Sequence, residues 1–316
     1  MRIAVLDDYQ GAARESADWQ RLEPRHDIQF LREHIADPHE LVRRLAGHEV
    51  IVAMRERTPL GADVLGALPH LRLLVTTGMR NASIDLVAAK RLGITVSGTS
   101  SLPYPTAELA WAHVLCLARR LPMEDRALRD GQWQTSIGVG LNGKTLGVVG
   151  LGTLGSRIAG YGLAFGMRVL AWSQNPSDER AAAVGATRVT FDELLERSNF
   201  ISIHLVLSER TRGLFSAQKI ARMKRTAYLV NTSRGPIIDE AALADALTHQ
   251  RIAGAGIDVY PEEPLPPGSA IRAAPRTVLT PHLGYVTVET YQVFYGDAVE
   301  NIEAFERGAP GRVLNG

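Results

Sequence analysis

Apolar residues in this 316-residue chain come in short blocks of about five positions, and polar, Gly- and Pro-containing stretches separate them. Residues 2–6, 27–31, 49–53, 71–76 and 94–96 are such blocks; they are too short for helices, so they predict strands. Between them, residues 60–68 and 84–92 are helix-compatible. Another helix is predicted to start at Asp37-Pro38-His39-Glu40, with Asp37 as N-cap, Pro38 in the first helical position and Glu40 at N3. Strands alternating with helices at this rhythm predict βαβ units and a parallel sheet. From residue 105 to 120 the pattern changes to one long apolar helix. A second alternating run then passes through strands at 200–205, 227–231, 256–259 and 277–279, and residues 287–307 form one closing helix.

A sharper signal lies between the two runs. The apolar stretch Lys144-Thr145-Leu146-Gly147-Val148-Val149 leads directly into Gly150-Leu151-Gly152-Thr153-Leu154-Gly155, and a helix-compatible segment, 156–165, and a strand, 167–172, follow. A GxGxxG pattern alone is weak, but a strand before it and a helix after it supply the context it needs. Gly150 permits the tight turn, Gly152 lets the backbone approach a pyrophosphate, and Gly155 allows the helix to pack close on the strand. The helix start, with Thr153 and Leu154, presents backbone N–H groups and a positive dipole end to phosphate. A dinucleotide site is expected at Gly150, Gly152, Thr153, Leu154 and Gly155. The fold class is α/β: two Rossmann-like or flavodoxin-like doubly wound domains with mostly parallel sheets and a cleft between them. Residues 1–101 plus 286–316 form the substrate domain, and 102–285 the dinucleotide domain.

Composition narrows the possibilities. The chain is 45% hydrophobic and 22% charged, which suits a globular protein with a sizeable core. Lys and Arg number 35 against 34 Asp and Glu, so no net field favours nucleic acid or a membrane surface. The single cysteine, Cys116, excludes an intramolecular disulfide and suits a reducing compartment. The N-terminus turns acidic at Asp7-Asp8, too soon for a signal peptide, and no run of about 18 apolar residues predicts a membrane span. A cytoplasmic protein without a metal site is expected.

Three stretches sit at the C-terminal ends of predicted strands, where open α/β sheets bind ligands. They are Asn231-Thr232-Ser233-Arg234-Gly235, Asp258-Val259-Tyr260-Pro261-Glu262-Glu263-Pro264 and Thr280-Pro281-His282-Leu283-Gly284. Singly, each has a plain explanation: Arg234 as a solvated turn residue, the glutamates as exposed loop carboxylates, His282 as a structural histidine. Together a cation, a carboxylate and an imidazole beside a dinucleotide site form a working set for carbonyl reduction.

With these motifs the chain resembles the D-isomer-specific 2-hydroxyacid dehydrogenases. The resemblance covers nearly the whole length and includes the Ala107-Glu108 helix start, Gly143 through Gly147, the glycine fingerprint, Phe165-Gly166-Met167, the three strand-end stretches and Asp239 through Leu243. It implies that Arg234 grips a substrate carboxylate and polarises the neighbouring carbonyl, a fork-shaped cation suiting a planar anion. His282 would act as general acid in reduction and base in oxidation, with Glu263 orienting it and raising its pKa. Asp258 corresponds to the nicotinamide-side carboxylate, and the Gly78-Met79-Arg80-Asn81 turn to the loop whose backbone donors bind the substrate carboxylate. The formate dehydrogenase branch carries Gln where Glu263 stands, so a carboxylate here implies true acid–base chemistry. Many relatives dimerise through the helix near Pro105, so a homodimer is expected. The partner is a small 2-oxo or 2-hydroxy acid.

Departures from the family pattern leave other matters open. Most NAD-dependent members carry Asp at the end of the second strand, where this chain has Ser173, followed by Gln174 and Asn175; the nearest downstream cation is Arg180. NADP(H) is thus permitted beside NAD(H). The stretch His204-Leu205-Val206-Leu207-Ser208 lines the cofactor without the family's proline. Tyr285 replaces a small residue; Tyr291, Phe294 and Tyr295 follow at helical spacing, as packing or dimer contacts. Arg55, Arg57 and Arg80 are solvated loop cations or the grip for a second anionic group of the substrate. Two other readings stand: a cofactor-sensing, corepressor-like protein, and an enzyme oxidising an inorganic oxyanion such as phosphite.

Overall fold

The computed structural model describes residues 1–175 and 178–316. These form two compact units: Met1–Leu102 with Val286–Gly316, and Pro103–Tyr285.

In the first unit the parallel strands β1 (Arg2–Val5), β2 (Asp27–Phe30), β3 (Val50–Ala53), β4 (Leu73–Thr76) and β5 (Thr95–Ser97) line up in the order β2-β1-β3-β4-β5. The inner strands β3 and β4, read as Val-Ile-Val-Ala and Leu-Leu-Val-Thr, are buried along their whole length. That is why they lack alternation: covered on both faces, they accept apolar side chains at every position. Edge strand β2 keeps the polar alternation of Asp-Ile-Gln-Phe. The closing helix, Val288–Glu306, belongs to this unit. Its Tyr291, Phe294 and Tyr295 are buried; Tyr295 packs on Trp19 with ring centroids 6.2 Å apart and on Tyr291 at 5.6 Å. Of the two roles expected for this aromatic run, packing is the one observed.

The second unit contains β6 (Thr145–Val149), β7 (Arg168–Trp172), β8 (Thr187–Arg188), β9 (Phe200–Ile203), β10 (Tyr228–Asn231), β11 (Gly254–Ile257) and β12 (Thr277–Leu279). Among the described residues they form one parallel sheet in the order β12-β11-β10-β9-β6-β7-β8. The chain leaves β6 towards β7 and later returns to β9 on the other side, so the direction of winding reverses at the β6–β9 boundary. A crevice opens at such a switch point, beyond the carboxyl ends of the strands. Two apolar layers cover the sheet, one around Leu194, Phe215 and Leu247, the other around Trp111, Val114 and Ile158.

Strand boundaries differ from the sequence expectation by at most two residues, with a physical reason at β11. There the chain pairs from Gly254 to Ile257 rather than over 256–259. Gly254 and Ala255 have poor strand propensity, yet the fully buried centre of a sheet favours small residues where neighbours press close. Asp258 therefore stands just past the strand, on the ligand side. The long helix runs Pro105–Arg119 and stops because Arg120 turns left-handed, φ 55°, ahead of Pro122. A second helix, Leu121–Arg129, then starts at once, where the apolar pattern carries no separate signal. At residue 37 the Asp37 cap forms through the His39 N–H at 3.0 Å, whereas Glu40 bonds Arg43 instead of closing a capping box.

Candidate active site

The glycine loop connects β6 to the helix Thr153–Ala164, capped by Gly152. Gly150 adopts φ 97°, and a Cβ there would lie 2.3 Å from the His204 carbonyl oxygen; one at Gly155 would lie 1.9 Å from the Gly150 oxygen. Both positions need glycine because backbone meets backbone. Gly152 is different. A Cβ there would meet nothing within 4 Å, so its missing side chain leaves open room at the helix start. That room belongs to a cavity of about 440 Å³ walled by the loops after β6 (Gly150, Leu151, Gly152), after β7 (Ser173, Gln174, Asn175) and after β9 (His204, Leu205, Val206), with Arg180, Ser208 and Thr211. The His204 N–H donates to Val149 O at 2.7 Å, and its Nε2 lies 2.8 Å from Ser202 Oγ. Backbone donors at a helix start, open space beside them and polar side chains farther along fit a dinucleotide.

The three strand-end stretches follow β10, β11 and β12. Gly235 is pressed against the next loop; a Cβ would sit 2.0 Å from the Tyr260 carbonyl carbon, and this close approach sets neighbouring Arg234 beside the loop after β11. Asn231 braces the turn, with Nδ2 donating to Arg234 O at 3.0 Å and Oδ1 accepting from the Ser233 N–H at 3.0 Å. The half-buried Arg234 directs Nη1 to Ser233 O at 2.8 Å. After β11 the Tyr260 N–H donates to Glu263 Oε1 at 2.8 Å, and Glu263 Oε2 meets His282 Nδ1 at 2.6 Å. One carboxylate oxygen thus holds the loop and the other holds the imidazole, which fixes the proton on Nδ1 and turns Nε2 away from Glu263. His282 itself has φ 55° and is pinned by its N–H to Asp258 O at 2.8 Å. The Tyr285 ring packs edge-on against the imidazole, centroids 5.3 Å apart.

Asp258 is fully buried. Oδ1 accepts from Thr280 Oγ1 at 2.6 Å and the Leu283 N–H at 2.7 Å, and Oδ2 from the Gly284 N–H at 2.9 Å. Burial pushes its carboxyl pKa up; the Thr280 and Leu283 hydrogen bonds and the charge of His282 pull it back. The Tyr260 hydroxyl shares its one proton between Ile257 O at 3.1 Å and Thr280 O at 3.0 Å, and burial beside Asp258 and Glu263 keeps the phenol protonated. Among the described residues no group of three or more His, Cys, Asp or Glu is placed to hold a metal ion, and no helix is long and apolar enough to cross a membrane.

A family model described as "D-isomer specific 2-hydroxyacid dehydrogenase, NAD binding domain" matches residues 111–284, the segment that carries this loop, pocket and pair. Over 267 residues the chain is 39% identical to glyoxylate reductase of Aeropyrum pernix, covering 81% of this chain and 80% of that enzyme. The chain belongs to the D-isomer specific 2-hydroxyacid dehydrogenase family. It is 34% identical to glycerate dehydrogenase of Methylorubrum extorquens over 88% of both. A crystal structure of phosphoglycerate oxidoreductase from Vibrio cholerae o395 superposes with a TM-score of 0.93 at 34% identity, covering 98% of this chain and all of that one. This D-2-hydroxyacid dehydrogenase is therefore an oxidoreductase that uses a nicotinamide cofactor.

In the first unit the Gly78 N–H donates to Thr99 Oγ1 at 2.7 Å, which commits it to the fold, while Met79 and Arg80 are exposed. Arg55, at φ 50°, gives its N–H to Thr77 Oγ1 at 2.8 Å and Nη1 to Thr77 O at 3.0 Å, with Glu56 3.6 Å from Nε. Arg57 lies over the Tyr9 ring at 4.4 Å and donates to Asp7 O. Thr106, His113 and Thr280 carry no assigned role in the sequence pattern. Only His113 left a trace there, as an imidazole inside an apolar helical run that demands a buried partner.

Proposed function

We propose that this dehydrogenase interconverts a 2-oxo acid and the corresponding D-2-hydroxy acid, with Arg234 holding the carboxylate and the Glu263–His282 pair moving the proton. The observation that carries this is the 2.6 Å Glu263–His282 contact at the ends of β11 and β12, on the sheet whose β6 loop forms the dinucleotide cradle. The nicotinamide cofactor, when bound, supplies or accepts the hydride. The protein's part is to polarise the carbonyl with Arg234 and to deliver a proton from His282 Nε2 to the carbonyl oxygen. In the oxidative direction Nε2 takes that proton back, and Glu263 offsets the imidazolium charge. Asp258 belongs to the cofactor side of this reading, and Met79, Arg80 and Arg55 to substrate binding in the first unit.

Of the two cofactors this reading takes NADP(H), and the chemistry of the pocket wall supports it. A 2′,3′-diol is usually held by a carboxylate, but the wall after β7 offers Ser173, Gln174 and Asn175, and Arg180 is the charged side chain lining the cavity. Hydroxyl, amides and guanidinium are all donors that suit a 2′-phosphate. A panel of glyoxylate, hydroxypyruvate, phenylpyruvate and branched 2-oxo acids, run with each cofactor, is expected to show turnover with NADPH ahead of NADH. Ser173→Asp should reverse that order, weakening NADPH binding by roughly tenfold or more in a direct fluorescence titration, since like charges placed together cost several kcal/mol. Equal binding of both cofactors before and after the substitution would discard the NADP(H) reading. No turnover on the panel despite cofactor binding would discard the reductase reading itself.

The second unit also exposes Leu121, Leu128, Trp133 and Ile137, large apolar side chains 50–89% accessible along one stretch of chain. Such a cluster supports a homodimer. Light scattering should read twice the 34.4 kDa chain mass, and a monomer mass at micromolar concentration would count against it.

A further inference from the structure

His113 lies two helical turns after Thr106, so both project from the same side of the helix Pro105–Arg119. Each touches one end of the stretch Thr280–Gly284. Thr106 Oγ1 donates to Gly284 O at 2.9 Å, and His113 Nε2 lies 2.9 Å from Thr280 Oγ1. Gly284 fits so closely that a Cβ would come within 3.2 Å of both Thr106 Oγ1 and Asp258 Oδ2. Between these points stands His282, held in the left-handed backbone conformation that is uncommon for residues other than glycine.

The direction of the hydrogen bonds follows from counting protons. The Leu283 and Gly284 N–H groups donate to Asp258, which marks that carboxylate as an acceptor. The Thr280 hydroxyl has one proton, and at 2.6 Å from Asp258 Oδ1 it spends it there. It must then accept from His113, which fixes the imidazole as the Nε2–H tautomer. The ring is 2% exposed and packs on Gly256 of β11, where a Cβ would come within 2.7 Å of Nδ1. Burial holds its pKa at about 4, so one N–H is available at neutral pH.

We propose that His113 is a positioning residue for the catalytic turn: it orients the Thr280 hydroxyl onto Asp258, and Asp258 in turn holds the backbone of His282, Leu283 and Gly284. This rests on the reading of His282 as the acid–base group. Without the His113 donor the Thr280 hydroxyl is free to rotate, and the turn keeps its other bonds but loses the alignment that sets His282 against Glu263. The helix Pro105–Arg119 thus acts as a splint along the turn, tied at both ends.

The test uses the full-length enzyme with its best 2-oxo acid, measuring kcat, KM and, by fluorescence titration, the cofactor Kd. Losing one buried hydrogen bond in this chain should lower kcat roughly tenfold in His113→Leu, with KM and cofactor Kd within about twofold of wild type. His113→Gln, which retains an N–H donor, should recover to within about threefold. Thr280→Val should match His113→Leu, and the double variant should lose little more, since both break the same link. If His113→Leu fails to fold, Thr280→Val against Thr280→Ser decides, because serine retains the hydroxyl. Wild-type kcat in Thr280→Val, full additivity in the double variant, or no rescue by glutamine would overturn the proposal. Loss of the reading beneath it is separately visible: in that case His282→Ala would leave wild-type turnover intact.

Discussion

His282→Ala is expected to bind its cofactor as the wild type does and to lose about 10²- to 10⁴-fold in kcat, the usual contribution of a positioned proton donor. The geometry localises that loss. Nδ1 is taken by Glu263 Oε2 at 2.6 Å, so only Nε2 can serve the substrate oxygen. The cavity assigned to the cofactor in the proposal is walled by the loops after β6, β7 and β9, so removing the imidazole leaves its walls in place. Unaltered cofactor titration together with collapsed turnover is therefore the signature. Glu263→Gln should fall between, because an amide can still accept from Nδ1–H but supplies no charge to stabilise the imidazolium. A His282→Ala enzyme reducing its 2-oxo acid at the wild-type rate would end the acid–base assignment.

Arg234→Ala should cost roughly 10²- to 10³-fold in kcat/KM, in line with removing one partner of a desolvated, hydrogen-bonded charge pair. Here the deficit should depend on the substrate. The half-buried guanidinium is set beside the loop after β11 by the tight Gly235–Tyr260 approach, and its planar fork matches a carboxylate bidentately. Arg234→Lys retains charge but not the fork, so it should recover only part of the activity. Comparing a 2-oxo acid with a ketone of similar size that lacks the carboxylate is the decisive measurement. Wild type should favour the acid strongly, and Arg234→Ala should lose most of that preference. If the preference survives the substitution, the carboxylate is bound elsewhere, and Arg234 serves only to shape the loop.

Much of the architecture was legible in the chain because it depends on local chemistry. Short apolar runs at 49–53 and 71–76 alternating with helix-compatible segments pointed to parallel sheets, and the burial of Val50–Ala53 and Leu73–Thr76 on both faces explains why those runs are continuous. The glycine loop was readable for a similar reason, since Gly150 and Gly155 occupy positions where any side chain collides with backbone. Sequence order alone also located Arg234, Glu263 and His282 beyond strands, although not their mutual distances.

Other features depend on contacts between residues far apart in sequence. Lone propensity hides the start of β11 at Gly254-Ala255, because small residues favour a strand only once neighbouring elements crowd them. Nothing in the apolar pattern marks the break at Arg120, which a left-handed residue and Pro122 create together. The helix Val288–Glu306 shows an aromatic run, but whether those rings face a core or a partner was decided by Trp19, more than 270 positions earlier. His113 and Thr280 are 167 residues apart in the chain, so their contact too exists only in the folded protein. The chain's own order of residues determined the two α/β runs, the tight glycine loop after β6 and the chemical types at the strand ends, since each is set by residues within a few positions of one another. Only the tertiary structure decided the Glu263–His282 contact, the burial of Asp258 and the His113–Thr280 contact, because a hydrogen bond's partner exists only once folding has closed the distance.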